Sequence, residues 1–348
     1  MKNNSTYIIG EIGQNHNGSL DIAKELIDMA NMSIVEPVFN TKVKKIDAVK
    51  FTKRDLSEEL SNSQMNKPYN SPHSFGKTYG EHRKYLELND QEHFQCYKYA
   101  KEKNLDFIET LCSIKCLSIL NLFNPDFLKV ASRDLTNIPL IEALSETKIP
   151  IILSTGMAGE KELDEALNTI LKNHAEISIL HCVSEYPTRP ENVNLKSINY
   201  LLKNYSNYKV GYSDHTIGIS AAVAAVAMGA SIIEKHITLD RKMKGTDHLG
   251  SLGPDGLKRL IRDIRILEKS LGKESIFISP TTKQARIKLE RSIASNKELK
   301  KGHTISKDDI HLLSPGDGVK WNEKNLIIGK KVKNQINKDE IIYLDNII

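Results

Sequence analysis

The chain has 348 residues, a net charge of +5 and 39% hydrophobic residues. That length can bury a large core and suits one large α/β domain with a small one, while lysines scattered along the chain leave no focused basic face, so nucleic acid is not an expected partner. No apolar run is long enough for a membrane span, "MKNNSTYIIG" lacks the apolar region of a signal peptide, and Cys96, Cys112, Cys116 and Cys182 form no CxxC pair, so we expect a cytoplasmic protein with reduced, buried thiols.

Eight apolar runs follow in chain order: "YIIGEIG", "DAVKFTK", "DFIETLC", "FLKVAS", "PIILST", "ISILHC", "KVGYSDH" and "SIIEKHIT". Between most of them lie stretches with apolar residues three and four apart, such as "DIAKELIDMA" and "LDEALNTILKN". Strands apolar on both faces and separated by helices imply a parallel sheet, and eight such units predict a (β/α)8 TIM barrel. A doubly wound open sheet is the second choice; no GxGxxG follows the first strand. Residues 33–46 and 55–89 interrupt the rhythm. The second excursion holds Tyr69, Phe75, Tyr79, His82 and Arg83 and is expected to fold over the barrel mouth. The texture changes after residue 271, which gives a barrel domain over 1–272, a linker over 273–290 and a small β-rich domain over 291–348.

In such a barrel the carboxyl ends of the strands surround the active site. Those ends supply Glu11, Lys50, Thr52, Thr110, Lys129, Ser132, Ser154, Ser184, Tyr186, Ser213 and His215, with Glu234 and His236 on the last strand. His215 and His236 end neighbouring strands, and two imidazoles with open positions beside them suit a divalent ion acting as Lewis acid. Lys50 and Lys129 lie inside apolar strands, where an unpaired charge is costly; with the hydroxyls they suit a bound phosphate and carboxylate. Strand-capping histidines and solvated lysines are the plainer alternatives.

The stretches "EIGQNHNGSL", "AVKF", "KVASRDLTNIPLI", "ILSTGMA", "LHCVSEYPT", "GYSDHTIG" and "EKHITLDRKMKGTDH" resemble the sialic acid synthase (N-acetylneuraminate synthase) family. The tail "SIASNKELKKGHTISKDDIHLLSPGDG" is similar to the antifreeze-like (SAF) domain that this family carries, so the resemblance spans essentially the whole chain. It implies condensation of phosphoenolpyruvate with the open-chain aldehyde of an N-acetylated amino sugar, releasing phosphate and a nonulosonic acid. It also implies Mn2+, Mg2+ or Co2+ on His215 and His236, and phosphoenolpyruvate held by Lys50, Thr110, Lys129, Ser132, Ser154 and Ser213. Glu11, Asp134, Tyr186 and Asp247 fall where the family binds sugar or moves protons, and a domain-swapped homodimer is implied. "SPHSFGKTYGEHRKYLE" also resembles a segment found in part of the family.

Three positions depart from the family pattern. Thr52 and Ser184 replace a glutamine and an asparagine, and Ser314 stands where an arginine usually touches the sugar's N-acetyl group; Lys320 and Arg291 are possible substitutes. The acceptor is therefore either N-acetylmannosamine or a 2,4-diacetamido-6-deoxy hexose. The competing readings are a metal-dependent aldolase or hydrolase on the same barrel, and a catalytically altered member acting as a carbohydrate-binding or partner subunit.

Overall fold

The structure, a computed structural model, describes residues 5–36 and 40–348. The N-terminal stretch MKNN and part of the 33–46 segment thus lie outside the described residues. The chain divides into two compact units, residues 1–272 and 273–348.

In the first unit the eight expected runs form eight parallel strands: β1 (Tyr7–Gly13), β4 (Ala48–Lys53), β5 (Asp106–Leu111), β6 (Phe127–Val130), β7 (Ile151–Ser154), β8 (Ile177–Cys182), β9 (Lys209–Asp214) and β10 (Ile232–His236). They close into a barrel in which β1 pairs with both β10 and β4. Between β1 and β4 lies a hairpin that the apolar pattern does not show, β2 (Ile34–Glu36) paired antiparallel with β3 (Thr41–Val43). Its three-residue strands are too short to show an alternation.

Inward-facing positions are two residues apart along each strand. One layer of the interior is apolar: Ile9, Ala48, Ile108, Ile152, Leu180 and Ile232 form a cluster of their own, with Phe127 packed against it. β9 contributes Gly211 here, where a Cβ would come within 2.5 Å of the Ile232 carbonyl oxygen and of a Leu180 methyl. The positions two residues further on are Glu11, Lys50, Thr110, Lys129, Ser154, Cys182, Ser213 and Glu234. An apolar plug thus lies directly beneath a polar floor. Outside the strands, helices such as α1 (Leu20–Ala30), α7 (Glu160–Leu171) and α10 (Pro254–Ser270) bury one apolar stripe each, α10 through Leu257, Leu260, Ile261 and Ile264.

The excursion after β4 is ordered. Short helices α2 (Leu56–Glu59) and α3 (Asn62–Met65) lead to α4 (Tyr79–Tyr85), whose start is fixed by a capping box between Thr78 and Glu81. Phe75 stacks on Tyr85 at 4.5 Å, Tyr69 lies 4.6 Å from the His82 ring, and Lys244 sits over Phe75. The remaining helices are α5 (Asp90–Glu102), α6 (Ile138–Glu146), α8 (Lys196–Asn204) and α9 (Ser220–Ala227). No helix among the described residues is long and apolar enough to cross a membrane.

The second unit holds helix α11 (Lys283–Leu289) and one antiparallel pair, β11 (Ser292–Ser295) with β12 (Ile310–Leu313). Its own core contains Ile293, Leu299, Ile305, Ile327, Val332 and Ile342. All four cysteines are buried and unpaired.

Candidate active site

A cavity of about 400 Å³ opens at the carboxyl ends of the strands. Thirteen of the fourteen residues expected at the site line it: Glu11, Lys50, Thr52, Thr110, Lys129, Ser132, Ser154, Ser184, Tyr186, Ser213, His215, His236 and Asp247.

Its floor is the polar layer of the barrel. The Lys50 ammonium is 2.7 Å from the Glu11 carboxylate and 3.8 Å from that of Glu234, and donates to the Thr110 hydroxyl at 3.3 Å. Ser213 donates to Glu234 at 2.9 Å. Burial lifts the Glu11 carboxyl to about 7, against the pull of Lys50 and with the push of Glu234. Glu234 is equally buried, but Lys50, Lys129 and the Ser213 hydroxyl together hold it down to about 2. The two carboxyl groups are therefore pushed in opposite directions: Glu234 is held ionised, while Glu11 is lifted into the range where it can hold or release a proton near neutrality.

Lys129 is 2% exposed and donates to the Val130 carbonyl at 2.9 Å. Among the described residues no carboxylate forms an ion pair with it, and burial lowers its pKa. The Ser154 hydroxyl, also buried, has no hydrogen-bond partner. Beside them the Gly156 amide donates to the Ser132 hydroxyl at 3.0 Å, and a Cβ on Gly156 would lie 2.6 Å from the Ser184 hydroxyl oxygen and 2.8 Å from that of Ser132. Only glycine leaves that cradle open. A buried ammonium with no ion pair among the described residues, in a cavity that also holds the unpartnered Ser154 hydroxyl, is built to receive an anion.

At the edge of the floor the His215 and His236 rings are 5.6 Å apart, and Tyr186 stacks on His215 at 3.9 Å. His215 Nδ1 donates to the Val183 carbonyl at 2.8 Å, which fixes the ring's orientation and leaves Nε2 as the nitrogen for another partner. Burial keeps His236 neutral, and its Nδ1 is buried with no partner. Two imidazoles, one already held by a carbonyl behind it, fit a borderline divalent ion. Among the described residues no group of three or more His, Cys, Asp or Glu is placed to hold a metal, so such an ion would have two protein ligands and open positions.

Asp134 is not brought to the cavity. Residues Ser132–Asp134 form a single tight turn, which ends the alternation of β6 and swings Asp134 against Arg133 at 3.3 Å. Missed from the sequence were Gln14, Arg54, Arg133 and Gly156; Tyr79 and Arg83 were singled out only as part of the mouth segment, and Glu234 was placed at a strand end without a role. Glu234 had a signal, since it lies two residues before His236 and shares its face. Within the second unit Ser314 donates to the Leu289 carbonyl at 3.1 Å, Lys320 is paired with Glu290 at 3.2 Å, and Arg291 donates to the Leu312 carbonyl at 3.3 Å.

The comparisons with known proteins point one way. The model of the NeuB family matches residues 38–275, and that of the SAF domain matches residues 290–348. The N,N'-diacetyllegionaminic acid synthase of Campylobacter jejuni is 36% identical, over 97% of this chain and 98% of that protein. Human N-acetylneuraminate-9-phosphate synthase is 34% identical, over 97% and 91%. The crystal structure of N-acetylneuraminic acid (sialic acid) synthetase from Leptospira borgpetersenii in complex with citrate superposes with a TM-score of 0.66 at 31% identity, covering 82% of this chain and 93% of that one. With a barrel whose strand ends gather the expected lysines, hydroxyls and histidines, and with relatives matched along nearly their whole length, the chain belongs to the NeuB family, the sialic acid synthases, and is an enzyme of that synthase class.

Proposed function

We propose that the protein condenses phosphoenolpyruvate with the open-chain aldehyde of an N-acetylated amino sugar, giving a nonulosonic acid and phosphate. The observation that supports this most is Lys129, a buried cation that forms no ion pair among the described residues, set among the hydroxyls of Thr110, Ser132, Ser154 and Ser213. On this reading Lys129, Lys50 and those hydroxyls bind phosphoenolpyruvate and hold its carbon 3 toward the sugar aldehyde. A divalent ion such as Mn2+, Mg2+ or Co2+ on His215 and His236 would supply Lewis-acid polarisation of a carbonyl.

Carbon 3 of phosphoenolpyruvate forms the new bond to the aldehyde carbon, and carbon 2 is left electron-poor. Water adds there, and the carbon–oxygen bond to phosphate breaks as the ketone forms. Glu11, protonated up to about pH 7, suits donation to the new hydroxyl oxygen; ionised Glu234 suits acceptance of a proton from the water. Tyr186 and Asp247 would face the sugar. N-acetylmannosamine and 2,4-diacetamido-6-deoxy hexoses are the first candidates for it. The reading includes a cytoplasmic homodimer, which sedimentation of the full chain checks.

The test is phosphate release from phosphoenolpyruvate with Mn2+ across a panel of amino sugars, with a chelator arm and a His236→Ala arm. Release with one sugar that chelator and His236→Ala both abolish is the expected result. No release from folded, metal-loaded protein with any sugar, or release indifferent to both arms, would overturn the reading.

A further inference from the structure

A buried ion pair lies behind the two imidazoles, on the other face of the same two strands. Asp214 and Lys235 each come one residue before a histidine, His215 and His236, and stand opposite one another in the β9–β10 register. Successive side chains of a strand point to opposite faces, so Ser213 and Glu234 face the cavity while Asp214 and Lys235 face away from its floor. Both are 1% exposed.

The Lys235 ammonium lies 2.8 Å from Asp214 Oδ2 and also donates to the Thr216 carbonyl. Asp214 Oδ1 accepts from the Thr216 amide at 2.8 Å and from the Tyr212 hydroxyl at 3.1 Å. The residue next to His236 thus grips the residues on both sides of His215. The outer flanks are tied as well: the His215 carbonyl accepts from the Thr188 amide at 3.0 Å, and the His236 carbonyl from the Leu252 amide at 2.8 Å. Between these ties the two rings stand 5.6 Å apart.

Stability alone does not require such a pair. Two buried charges are costly to desolvate, and apolar residues of like size commonly serve a core as well or better. Spacing does require it. Among the described residues no third His, Cys, Asp or Glu joins the two histidines, so no further protein ligand would correct a wrong separation. Whatever ties the two strand ends together therefore sets the distance that a shared ion would meet.

We propose that Asp214 and Lys235 are positioning residues that fix the spacing of His215 and His236 and thereby set the affinity of the site for a divalent ion. The proposal rests on the metal reading of those histidines given above and assigns its control to a pair that lies outside the cavity floor.

The experiment measures Mn2+ binding to the full chain by electron paramagnetic resonance, the visible absorption of bound Co2+, and the melting temperature in chelator. It compares the wild type with the double variant Asp214→Asn/Lys235→Met, which leaves no unpaired charge buried, and with Leu144→Ala, a core truncation on the outer helix α6. The double variant is expected to stay folded in chelator, to bind Mn2+ about 10–100-fold more weakly, and to change the shape of the Co2+ spectrum, while Leu144→Ala keeps wild-type affinity and spectrum. Should the double variant not fold, Asp214→Glu decides by the same readouts, since it keeps both charges and shifts the carboxylate by one methylene. Wild-type affinity and spectrum in the folded variant overturn the proposal and leave the metal reading standing. A loss of affinity in Leu144→Ala as large as in the variant also overturns it, because affinity would then merely follow stability. No Mn2+ bound by the wild type overturns the metal reading, and the proposal with it.

Discussion

Lys129, 2% exposed and unpaired by any carboxylate among the described residues, is expected to lower the stability of the barrel through its desolvation. Replacing it with an apolar side chain of similar length should therefore stabilise the fold while removing the anion site. Lys129→Met is expected to raise the melting temperature by roughly 2–4 °C, about 1 kcal/mol for a unit of this size, and to raise the KM for phosphoenolpyruvate about 100-fold. Calorimetry and steady-state kinetics on one preparation check both. A lower melting temperature with an unchanged KM would make Lys129 a structural residue. Its candidacy was legible in the sequence because a lysine inside an apolar strand breaks the pattern, as Lys50 does. Asp134 misled for a physical reason: the period of two stops where β6 gives way to a tight turn, so counting along the strand no longer tells which way a side chain faces. Arg54 and Arg133 gave no signal, since an arginine just past a strand end is ordinary until the fold shows what it meets, and Arg83 was legible only as a member of the mouth segment.

At the scale of elements, the eight strands were readable because each is an apolar run with both faces buried, and the long helices because each has one apolar stripe. The hairpin β2–β3 and helices α2 and α3 were not, since strands of three residues and helices of four contain less than one full repeat of either pattern. The mouth segment was legible as ordered from its aromatic content, but not as the carrier of a site residue. Its hold on Arg83 runs through stacking: Phe75 packs on Tyr85 at 4.5 Å with an interplanar angle of 6°, and 5.9 Å from the His82 ring. Such pairs contribute about 0.5–1.5 kcal/mol each beyond the area they bury. Phe75→Ala should loosen α4 and with it Tyr79 and Arg83. The expected outcome is a KM for the sugar raised about tenfold, with the KM for phosphoenolpyruvate little changed, because the floor is built from barrel strands alone. Equal effects on both substrates would mean that the segment shapes the floor too.

At the scale of the whole molecule, each of the two units has its own apolar core, so they are expected to unfold as separate transitions. Asp309 allows the second transition to be moved alone. It is 2% exposed and accepts from the Ser306 amide at 2.8 Å, the Ser306 hydroxyl at 2.9 Å and His303 Nε2 at 2.9 Å, with Lys297 paired beside it. Burial alone would raise its pKa, but Lys297, His303 and Ser306 outweigh burial and hold the carboxyl well below the usual range. A group whose folded pKa is depressed binds fewer protons in the folded state than in the unfolded one. Its stabilisation is therefore present in full at neutral pH and is lost as pH falls below about 4, the unfolded value, toward the folded one. Asp309→Asn should lower the melting transition of residues 273–348 at pH 7 by about 2 kcal/mol and leave that of the barrel in place. The gap between variant and wild type should then narrow as the pH drops below about 4, because protonation turns the wild-type side chain into a near-isostere of asparagine. Calorimetry of both proteins between pH 3 and pH 7 reads the two effects together. A single transition that shifts as a whole would show that the two cores unfold as one cooperative unit.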